Sequence, residues 1–508
     1  MRLAELIGTL SLATDAGTGM PDYHALRGAA VAVRFARVLG ADARTVADAY
    51  YLPLLAASGC TAESHTSAEV FGDEIQIGVD TYGLDYRSAT AMLPAMFRTV
   101  SRGRSKVGAI VSMARSMSKM PKMRAVGRAH CEVAIHLAER FGFDEPFRAA
   151  LFQAFERWDG SGRPMAVKGE QIALGMRIAH IAVDANVGHR LGGVDGAIAL
   201  LRKHGGRGLD PALVERFVGA AAEICAPLDE PSTWNTAIAA EPAPQRSVEG
   251  EALDEGLRAI ADMTDLKCRF TRGHSTGVAQ LARAAAAWLE LGDETETALT
   301  RAGLVHDVGR VAVSAAIWDK PGPLTDSERE RIRTHTYVGE RVLSKAPGLA
   351  SVAEIATLAH ERLDGSGYHR RLPAAACSAA ARVLAAADVY QALREQRPHR
   401  PAMGADQAAS ELRSMARGGS LCPDAVAAVL SGAGHSVRPP VRPSGLTDRE
   451  IEVLRLLARG LTNREIASAL DISTKTAGHH VQHVLEKLHV TTRAAATMIA
   501  MKTGLAQA

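Results

Sequence analysis

The chain carries one sequence pattern twice, and this internal repeat constrains its fold more than any other feature. The segment HALRGAAVAVRFARVLG, which begins at His24, matches HSTGVAQLARAAAAWLELG from His274, at an offset of 250 residues. A second pair of blocks, HCEVAIHLAERFGFDEPF and HTYVGERVLSKAPGLASV, keeps its own constant offset of 205. The first copy therefore holds 45 extra residues between its blocks. This spacing predicts two homologous domains, one of them with an insert.

Both copies are filled with apolar residues at helical spacing, and strand patterns are almost absent. Hydrophobic residues make up 47% of the 508 residues and aromatic residues only 4%. We therefore expect an all-α protein. The sequence predicts helical bundles at about 1–225 and 252–435, a polar, Pro/Ala-rich linker at 226–251, a second linker at 436–445 and a C-terminal domain at 446–508.

Composition excludes several classes of protein. The first residues, MRLAELIGTLSLATDAG, lack a basic leader, and no segment approaches the roughly 20 apolar residues of a membrane span, so we expect a cytoplasmic protein without a membrane partner. Six cysteines without a CxxC pair argue against a zinc knot and a disulfide framework. The net charge of +3 is close to neutral, so contact with nucleic acid requires a local surface.

The second copy contains histidine and aspartate residues in or beside its helical patterns. Imidazole and carboxylate groups are typical ligands of borderline divalent metals. Adjacent His306 and Asp307 cannot share one helix face, but near a helix end both side chains can turn toward one ion. The candidate metal ligands are His274, His306, Asp307, His335, His360 and Asp388.

The order H, HD, H, HExxDGxGY, D resembles the HD-GYP family of metal-dependent phosphodiesterases that cleave cyclic dinucleotides, and the resemblance covers the whole second copy. It implies that His274, His306, Asp307 and Asp388 are the core ligands, and that His335 and His360 help to hold a second ion. It also implies two divalent ions, iron or manganese, which lower the pKa of bound water and neutralise phosphoryl oxygens.

Two residues are candidates for the catalytic step under this resemblance. Asp307 would bridge the metals or orient the water. Arg310 stands where the family usually has lysine, and its planar guanidinium can clamp a phosphate. Because metal-binding residues can also serve a sensor or a purely structural domain, an active enzyme, an inactive metal-binding sensor and a structural copy all remain open.

The sequence departs from the family pattern in several places. Ala359 replaces the first histidine of the usual pair, His369 ends the GYP motif, and Phe270 stands where some members have a glutamate. The first replacement removes one expected ligand, and the last argues against a three-metal centre. In DGSGYH, we expect Gly365 and Gly367 to supply positive φ angles and Asp364 to cap the turn.

The first copy has lost its central metal-binding pair. Ala56 and Ala57 stand at the places of the doublet, and Phe155 replaces the next histidine. Because alanine cannot bind a metal, we expect a degenerate domain kept for packing, dimerisation or ligand binding. Its insert includes KVGAIVSMARSMSKMPKMR, which could form a basic amphipathic helix for a membrane or nucleic acid, although packing of its methionines inside a dimer is favoured. The metal-type residues that the first copy keeps are His24, His130, Asp159 and Asp184.

The C-terminal tail shows four short amphipathic helical patterns with their own start signals. Thr447 and Thr462 each precede a glutamate by three residues, and Ser473 opens the third helix. Over its full length, LTDREIEVLRLLARGLTNREIASALDISTKTAGHHVQHVLEKLHVTTRAAA resembles the LuxR-type helix-turn-helix. The fold class is therefore all-α, with two HD-domain-like bundles followed by a four-helix LuxR-type domain.

The resemblance implies that the helix at about 474–488 enters the major groove of double-stranded DNA. His479 and Gln482 would read bases, Lys475 and Thr476 would contact phosphate, and Gly478 would permit close backbone approach. The helix at about 493–503 offers an apolar face for a homodimer.

The sequence thus predicts a transcription regulator whose HD-GYP-like domain binds metal and senses or hydrolyses a cyclic dinucleotide or a related phosphodiester. Two alternatives remain: an inactive HD scaffold that dimerises a LuxR-type regulator, and a phosphodiesterase that its DNA-binding tail localises.

Overall fold

The computed structural model describes residues 1–85, 88–437, 445–503 and 505, and α-helices dominate these ranges. Within them, β-structure is limited to three isolated bridges. The predicted all-α fold is therefore confirmed. None of the helices in the described part of the chain is both long and apolar enough to cross a membrane.

The chain divides into two compact units. The first comprises Met1–Gln280, Thr300–Thr357 and Gln391–Gly404, and the second comprises Leu281–Leu299, Leu358–Tyr390 and Ala405–Ala508. The first unit therefore holds the whole first copy together with part of the second.

The first copy and the segment that follows it contain thirteen α-helices among their described residues. The long helix α10 is interrupted at Gly192 and Gly193, whose backbone angles are not helical. The helices are α1 (Leu3–Thr18), α2 (His24–Val38), α3 (Ala43–Ala56), α4 (Ser64–Phe71), α5 (Glu74–Thr81), α6 (Ala89–Ser101), α7 (Lys106–Lys119), α8 (Met123–Arg140), α9 (Glu145–Leu151), α10 (Leu174–His204), α11 (Pro211–Val218), α12 (Ala221–Cys225) and α13 (Thr233–Ala239).

The second copy repeats the helical order of the first at its start. Helices α15 and α2 begin at the two equivalent histidines, and a short 3-10 turn, Val308–Ala312, follows α16. The helices are α14 (Gly250–Asp265), α15 (His274–Trp288), α16 (Asp293–Val305), α17 (Ala315–Trp318), α18 (Asp326–Leu343), α19 (Ala350–Ala356), α20 (Ala379–Arg394), α21 (Ala405–Arg417) and α22 (Pro423–Gly432).

A buried aspartate fixes the start of the first repeated helix in each copy. Asp15 accepts a hydrogen bond from the Ala25 N–H at 3.3 Å, and Asp265 accepts one from the Ser275 N–H at 2.9 Å. Such acceptors satisfy N–H groups that the first turn of a helix leaves without partners. Burial raises the pKa of Asp265 to about 6, despite these hydrogen bonds. The repeat therefore extends to the buried polar groups that orient the helices.

Residues 226–251, predicted as a linker, are packed into the first unit. They contain α13, on which Trp234 and Ile238 are buried. In addition, the Arg2 guanidinium donates to the carboxylate of Glu241 at 2.5 Å. The segment thus adds to the core, because its apolar residues are removed from water.

The methionines of the insert pack within their own chain. Met113, Met120 and Met123 lie against a cluster formed by Val70, Phe71, Ile77 and Met96. Elsewhere on α7, Val107 and Ile110 are exposed. These methionines therefore belong to a cluster internal to the first copy, which differs from the packing in a dimer that the sequence favoured.

The C-terminal domain is a four-helix bundle around one core that includes Leu454, Ile466 and Val484. Capping boxes at Thr447 and Thr462 start two of the helices, as the sequence predicted. Its helices are α23 (Asp448–Ala458), α24 (Asn463–Ala469), α25 (Thr474–Lys487) and α26 (Arg493–Lys502).

Two ion pairs join this bundle to other helices of the second unit. Arg382 on α20 donates to Glu452 on α23 at 2.6 Å, and Arg455 on α23 donates to Asp424 on α22 at 3.0 Å. These four side chains line a cleft of about 280 Å³.

Candidate metal centre and DNA-binding helix

His274, the first residue of α15, is held by a carboxylate behind it. Its Nδ1 atom lies 3.0 Å from Glu395, and its Nε2 atom lies 3.6 Å from Asp307. A carboxylate on one ring nitrogen fixes the tautomer and the orientation of an imidazole whose other nitrogen faces a metal. The Nε2 atom of His274 is therefore directed toward Asp307.

The doublet follows the end of α16, where regular helical hydrogen bonding stops. The His306 Nδ1 atom lies 2.8 Å from the carbonyl oxygen of Gly303, and its Nε2 atom lies 3.3 Å from Asp307. Asp307 then begins the tight turn formed by Val308–Ala312. The helix end thus allows both neighbouring side chains to face the same space, as the sequence predicted.

His335 reaches Asp307 from α18, a helix that starts with a capping box at Thr325. Its Nδ1 atom lies 2.5 Å from the carbonyl oxygen of Ile332, and its Nε2 atom lies 3.2 Å from Asp307. Gly309 allows α18 to approach, because a Cβ at this position would lie 1.9 Å from the His335 carbonyl oxygen.

The three imidazoles and the carboxylate of Asp307 form a buried, charged cluster. Asp307 is only 1% exposed. Burial alone raises the pKa of a carboxyl group, but the Arg310 guanidinium and His306 hold the pKa of Asp307 well below its usual range. The carboxylate is thus negatively charged at neutral pH, which is the state that binds a cation.

Arg310 contacts the carboxylate of Asp307 directly. Its Nε atom lies 3.1 Å from Asp307, and its guanidinium lies over the ring of Trp318 at 4.5 Å. The indole N–H of Trp318 also donates to the Arg310 carbonyl oxygen at 3.2 Å. Arg310 therefore brings a fixed positive charge to the edge of the cluster.

The other two predicted ligands lie together in the second unit. The Nδ1 atom of His360 lies 3.4 Å from Asp388, and the His360 ring stacks on Tyr368. Glu361 accepts hydrogen bonds from the backbone N–H groups of Arg370 and Leu372, at 2.8 and 3.1 Å. Glu361, the residue next to His360, thus holds the loop at Arg370 and Leu372 in place.

The turn in DGSGYH differs in one respect from expectation. Gly365 has a positive φ of 75°, and Asp364 accepts a hydrogen bond from the Ser366 N–H at 2.9 Å, as predicted. The expectation of a positive φ at Gly367 was wrong. This glycine is required for a different reason, since a Cβ there would lie 2.4 Å from the backbone nitrogen of Arg362.

The donor groups of the second copy suit a transition-metal ion. Neutral imidazole nitrogens and an ionised carboxylate are the preferred donors for zinc, iron and manganese. Among the described residues, every group of three or more ligand atoms close enough to share an ion is formed by second-copy residues. The chemistry of the donors therefore fits a divalent cation.

The corresponding residues of the first copy are engaged in other interactions. His24 lies 3.1 Å from the side chain of Asn186, and His130 lies 2.9 Å from Glu63 and 2.7 Å from the Ala56 carbonyl oxygen. Phe155 contacts the edge of the His130 ring. Asp184 pairs with His204 at 2.7 Å, and Asp159 accepts from the backbone of Ser161. These four side chains are therefore held by contacts with other groups of the first copy.

Sequence reasoning missed three residues around the second-copy cluster. Glu395 lies 121 residues from His274 along the chain, and Trp318 lies only 8 residues from Arg310, but no motif marked either residue. Asp265 did carry a signal, because the repeat offset of 250 places it opposite Asp15.

The candidate recognition helix α25 presents a polar surface. Lys475, Thr476, His479 and Gln482 are exposed, and Gly478 is half-buried. Ala477, Val481 and Val484 are buried on the opposite face. A Cβ at Gly478 would make an ordinary contact of 3.5 Å with Asn463. The four exposed side chains are therefore accessible to a ligand along one side of the helix.

Comparison with known proteins identifies two regions. Residues 258–421 match the HD domain model, and residues 444–500 match the model of bacterial regulatory proteins of the luxR family. A crystal structure of a cyclic GMP-AMP-specific phosphodiesterase of Vibrio cholerae covers 86% of this chain and 98% of its own, with a TM-score of 0.58 and 23% identity. This likeness shows a shared fold.

Curated relatives are phosphodiesterases of cyclic dinucleotides. A 3′3′-cGAMP-specific phosphodiesterase of V. cholerae is 26% identical over 418 residues, which is 80% of this chain and 89% of that protein. A second such enzyme of V. cholerae is 40% identical over 154 residues, 30% of this chain and 36% of that protein. A cyclic di-GMP phosphodiesterase of Pseudomonas aeruginosa is 37% identical over 153 residues, 30% of this chain and 37% of that protein. The chain spans about a third of the length of the last two relatives.

Proposed function

Because the chain joins an HD domain of the HD-GYP phosphodiesterase type to a C-terminal domain of the luxR family, as its sequence predicted, we propose that it is a DNA-binding regulator that hydrolyses a cyclic dinucleotide. The observation that carries this proposal is the approach of His274, His306 and His335 to the single carboxylate of Asp307. The equivalent doublet in the first copy is a pair of alanines.

The proposed ligand set is His274, His306, Asp307, His335, His360 and Asp388, holding two divalent ions of iron or manganese. When bound, such ions lower the pKa of water and neutralise charge on a phosphodiester. The support is the donor chemistry of the cluster and the order of these residues in the sequence. Glu395 would keep His274 in the tautomer whose Nε2 atom is a ligand.

The reaction is attack of water on one phosphorus of the ring. The bond from that phosphorus to the ribose 3′ oxygen breaks, the leaving oxygen takes a proton, and a linear dinucleotide results. Arg310 contributes a guanidinium that can neutralise a non-bridging phosphoryl oxygen, because its position over Trp318 leaves it partly exposed, with 12% of its side chain accessible. Asp307 remains ionised and orients the water.

The C-terminal domain would bind double-stranded DNA as a homodimer. Its support is the luxR-family match and the accessible side chains of α25, on which Lys475 and Thr476 would contact phosphate, and His479 and Gln482 would contact bases. Met498 and Met501 are exposed on α26 and would lie in the dimer interface. If the HD domain were only an inert scaffold, the chain would show no turnover. If the tail only localised an enzyme, the chain would bind DNA independently of the cyclic dinucleotide.

The experiment uses the purified full-length chain, loaded separately with Fe²⁺ and Mn²⁺. We expect it to retain metal and to convert 3′3′-cGAMP or cyclic di-GMP to a linear dinucleotide. The double variant His306→Ala, Asp307→Ala should lose both properties, whereas Asp159→Asn in the first copy should keep both. A chain that retains no metal under either condition would refute the phosphodiesterase, and DNA binding that ignores the cyclic dinucleotide would favour the localised enzyme.

A further inference from the structure

The four-residue helix α17 holds two residues of the candidate metal centre in place. Its last residue, Trp318, donates a hydrogen bond to the Arg310 carbonyl oxygen at 3.2 Å and lies under the Arg310 guanidinium. The indole also meets the edge of the His335 ring, with 5.8 Å between the ring centres. A shift of α17 would therefore move the surroundings of both Arg310 and His335.

A helix of one turn has little stability of its own, because forming the first turn costs more than it returns. The position of α17 must therefore come from tertiary contacts. Ala315 and Ile317 are buried, and polar side chains of the first copy bind at both ends of the helix.

At the N-terminal end of α17, the holding group is the carboxylate of Glu74. It accepts hydrogen bonds from the Ser314 hydroxyl at 2.6 Å and from the Ala315 N–H at 2.7 Å. The ammonium of Lys267 pairs with it at 2.8 Å and also donates to the Ser64 hydroxyl at 3.3 Å. Glu74 and Lys267 are both buried. A buried carboxylate with three donors can occupy only a narrow range of positions, so it fixes the helix start.

At the C-terminal end, the holding group is His65. Its Nδ1 atom lies 2.5 Å from the carboxylate of Asp319, the residue that ends α17. Asp319 also accepts from the Cys268 thiol at 3.3 Å. Burial raises the pKa of the Asp319 carboxyl, but the hydrogen bond and charge of His65, the hydrogen bond from Cys268 and the charge of Arg269 together outweigh burial and leave the pKa below its ordinary value. The ionised carboxylate is therefore available to hold this end.

Ser64, His65 and Glu74 all lie between the two repeated blocks, in the stretch where the first copy holds 45 more residues than the second. We infer that this part of the insert, residues 64–74, is a clamp: it sets the position of α17 and, through Trp318, of Arg310 and His335. Glu74 and His65 are positioning residues, since neither touches the metal-type cluster. The expected effect on turnover rests on the proposed function, whereas the expected effect on the position of α17 and Trp318 does not. Through this clamp, the first copy positions residues of the candidate site in the second copy.

The structural arm of the test follows Trp318 directly. The full-length chain, which has four tryptophans, is labelled with 5-fluorotryptophan, and the Trp318 signal is assigned with Trp318→Phe. In Glu74→Gln, the ¹⁹F signal of Trp318 should shift or broaden. The matched control is Asp73→Asn, which removes another ion pair between the insert and the second copy, to Arg331 at 3.0 Å, away from α17. This control should leave the signal in place.

If Glu74→Gln does not fold, His65→Gln takes its place, because His65 is more exposed and holds the other end of α17. A Trp318 signal that stays unchanged in the folded clamp variant overturns the inference. The inference is also overturned if the Trp318 signal changes equally in the control Asp73→Asn.

The functional arm is a double-mutant cycle on cyclic dinucleotide turnover. Glu74→Gln and Trp318→Phe should each lower kcat by about tenfold with KM little changed, because small displacements of positioned groups slow a reaction strongly. If Glu74 acts through Trp318, the double variant should be no slower than the slower single variant. A multiplied loss of about a hundredfold contradicts the clamp. Absence of turnover in the wild type would refute the proposed function, and the ¹⁹F result would still decide the clamp.

Discussion

The Nδ1 atom of His274 lies 3.0 Å from the carboxylate of Glu395, although 121 residues separate them in the sequence. The pairing leaves the Nε2 atom of His274 directed toward Asp307. Burial raises the pKa of Glu395, but the hydrogen bond and charge of His274, the charge of Arg397 and the hydrogen bond from Gln391 together outweigh burial, so the pKa is lowered and the carboxylate is ionised. Glu395 therefore keeps the Nε2 atom of His274 directed toward Asp307.

We expect Glu395→Gln to weaken metal binding by about 10- to 100-fold, as the loss of a partner behind a ligand histidine does. The measurement is competitive titration of the metal-loaded full-length chain with a chelator of known affinity. Glu411→Gln, at an exposed position on α21, is the control. Equal affinities in the two variants would show that Glu395 has no part in the centre.

Gly309→Ala tests the close approach of the turn to α18. The added Cβ would lie 1.9 Å from the His335 carbonyl oxygen and 2.6 Å from the Gly339 nitrogen, so the backbone must move. We expect a loss of about 1–3 kcal/mol in unfolding free energy, together with weaker metal retention. Gly322→Ala, where a Cβ meets nothing within 4 Å, should change neither. An unaffected Gly309→Ala variant would mean that the turn and helix are not packed in this way.

His24 gives the first copy a pH-dependent contribution to stability. Burial lowers the pKa of His24 to about 4, from an ordinary value of 6.5. The unfolded chain therefore takes up this proton first as the pH falls, so the contribution is complete above pH 6.5 and is lost as the pH drops toward 4.

The size of this contribution is about 3 kcal/mol, at 1.36 kcal/mol for each unit of pKa. We expect the gap in urea midpoint between wild type and His24→Gln to narrow between pH 7 and pH 5. His136→Gln, at an exposed histidine, should track the wild type at every pH. If the difference in urea midpoint between wild type and His24→Gln stays constant with pH, His24 has its ordinary pKa in the folded protein.

Gln482 and Lys475, two exposed residues of α25, should affect DNA binding in different ways. Replacing Gln482 by alanine should change sequence preference, because a side chain on a base edge discriminates by about 1–3 kcal/mol. Replacing Lys475 by alanine should weaken specific and random DNA alike, and should lower the salt slope by about 1. Equal losses on both DNA types in both variants, measured by fluorescence anisotropy, would contradict these roles. Lys502→Ala on α26 serves as the control.

Local signals in the sequence predicted much of this structure. The capping boxes at Thr447 and Thr462, and the cap at Ser473, depend on residues only three positions apart, and all three form as expected. The helix end at the doublet was equally predictable. Gly367 shows the limit of local reasoning, because its requirement comes from a backbone approach that a turn motif does not encode.

Long-range pairs could not be predicted from one sequence. Glu74 contacts Ser314 across 240 residues, and neither residue belongs to a motif. The packed segment at 226–251 was also missed, since its proline and polar residues conceal the apolar pair Trp234 and Ile238. In these cases the tertiary structure supplies partners that composition alone does not reveal.

The ion pair between Glu74 and Lys267 has a practical consequence for the preparation of the second copy as a separate fragment. A fragment that began at residue 252 would keep the buried ammonium of Lys267 but would lack the carboxylate of Glu74, which pairs with it at 2.8 Å. Leaving one charge of a buried pair without its partner typically costs about 3–5 kcal/mol, so we expect the shortened chain to aggregate or to lose α17. Recombinant work on the second copy should therefore include the first copy.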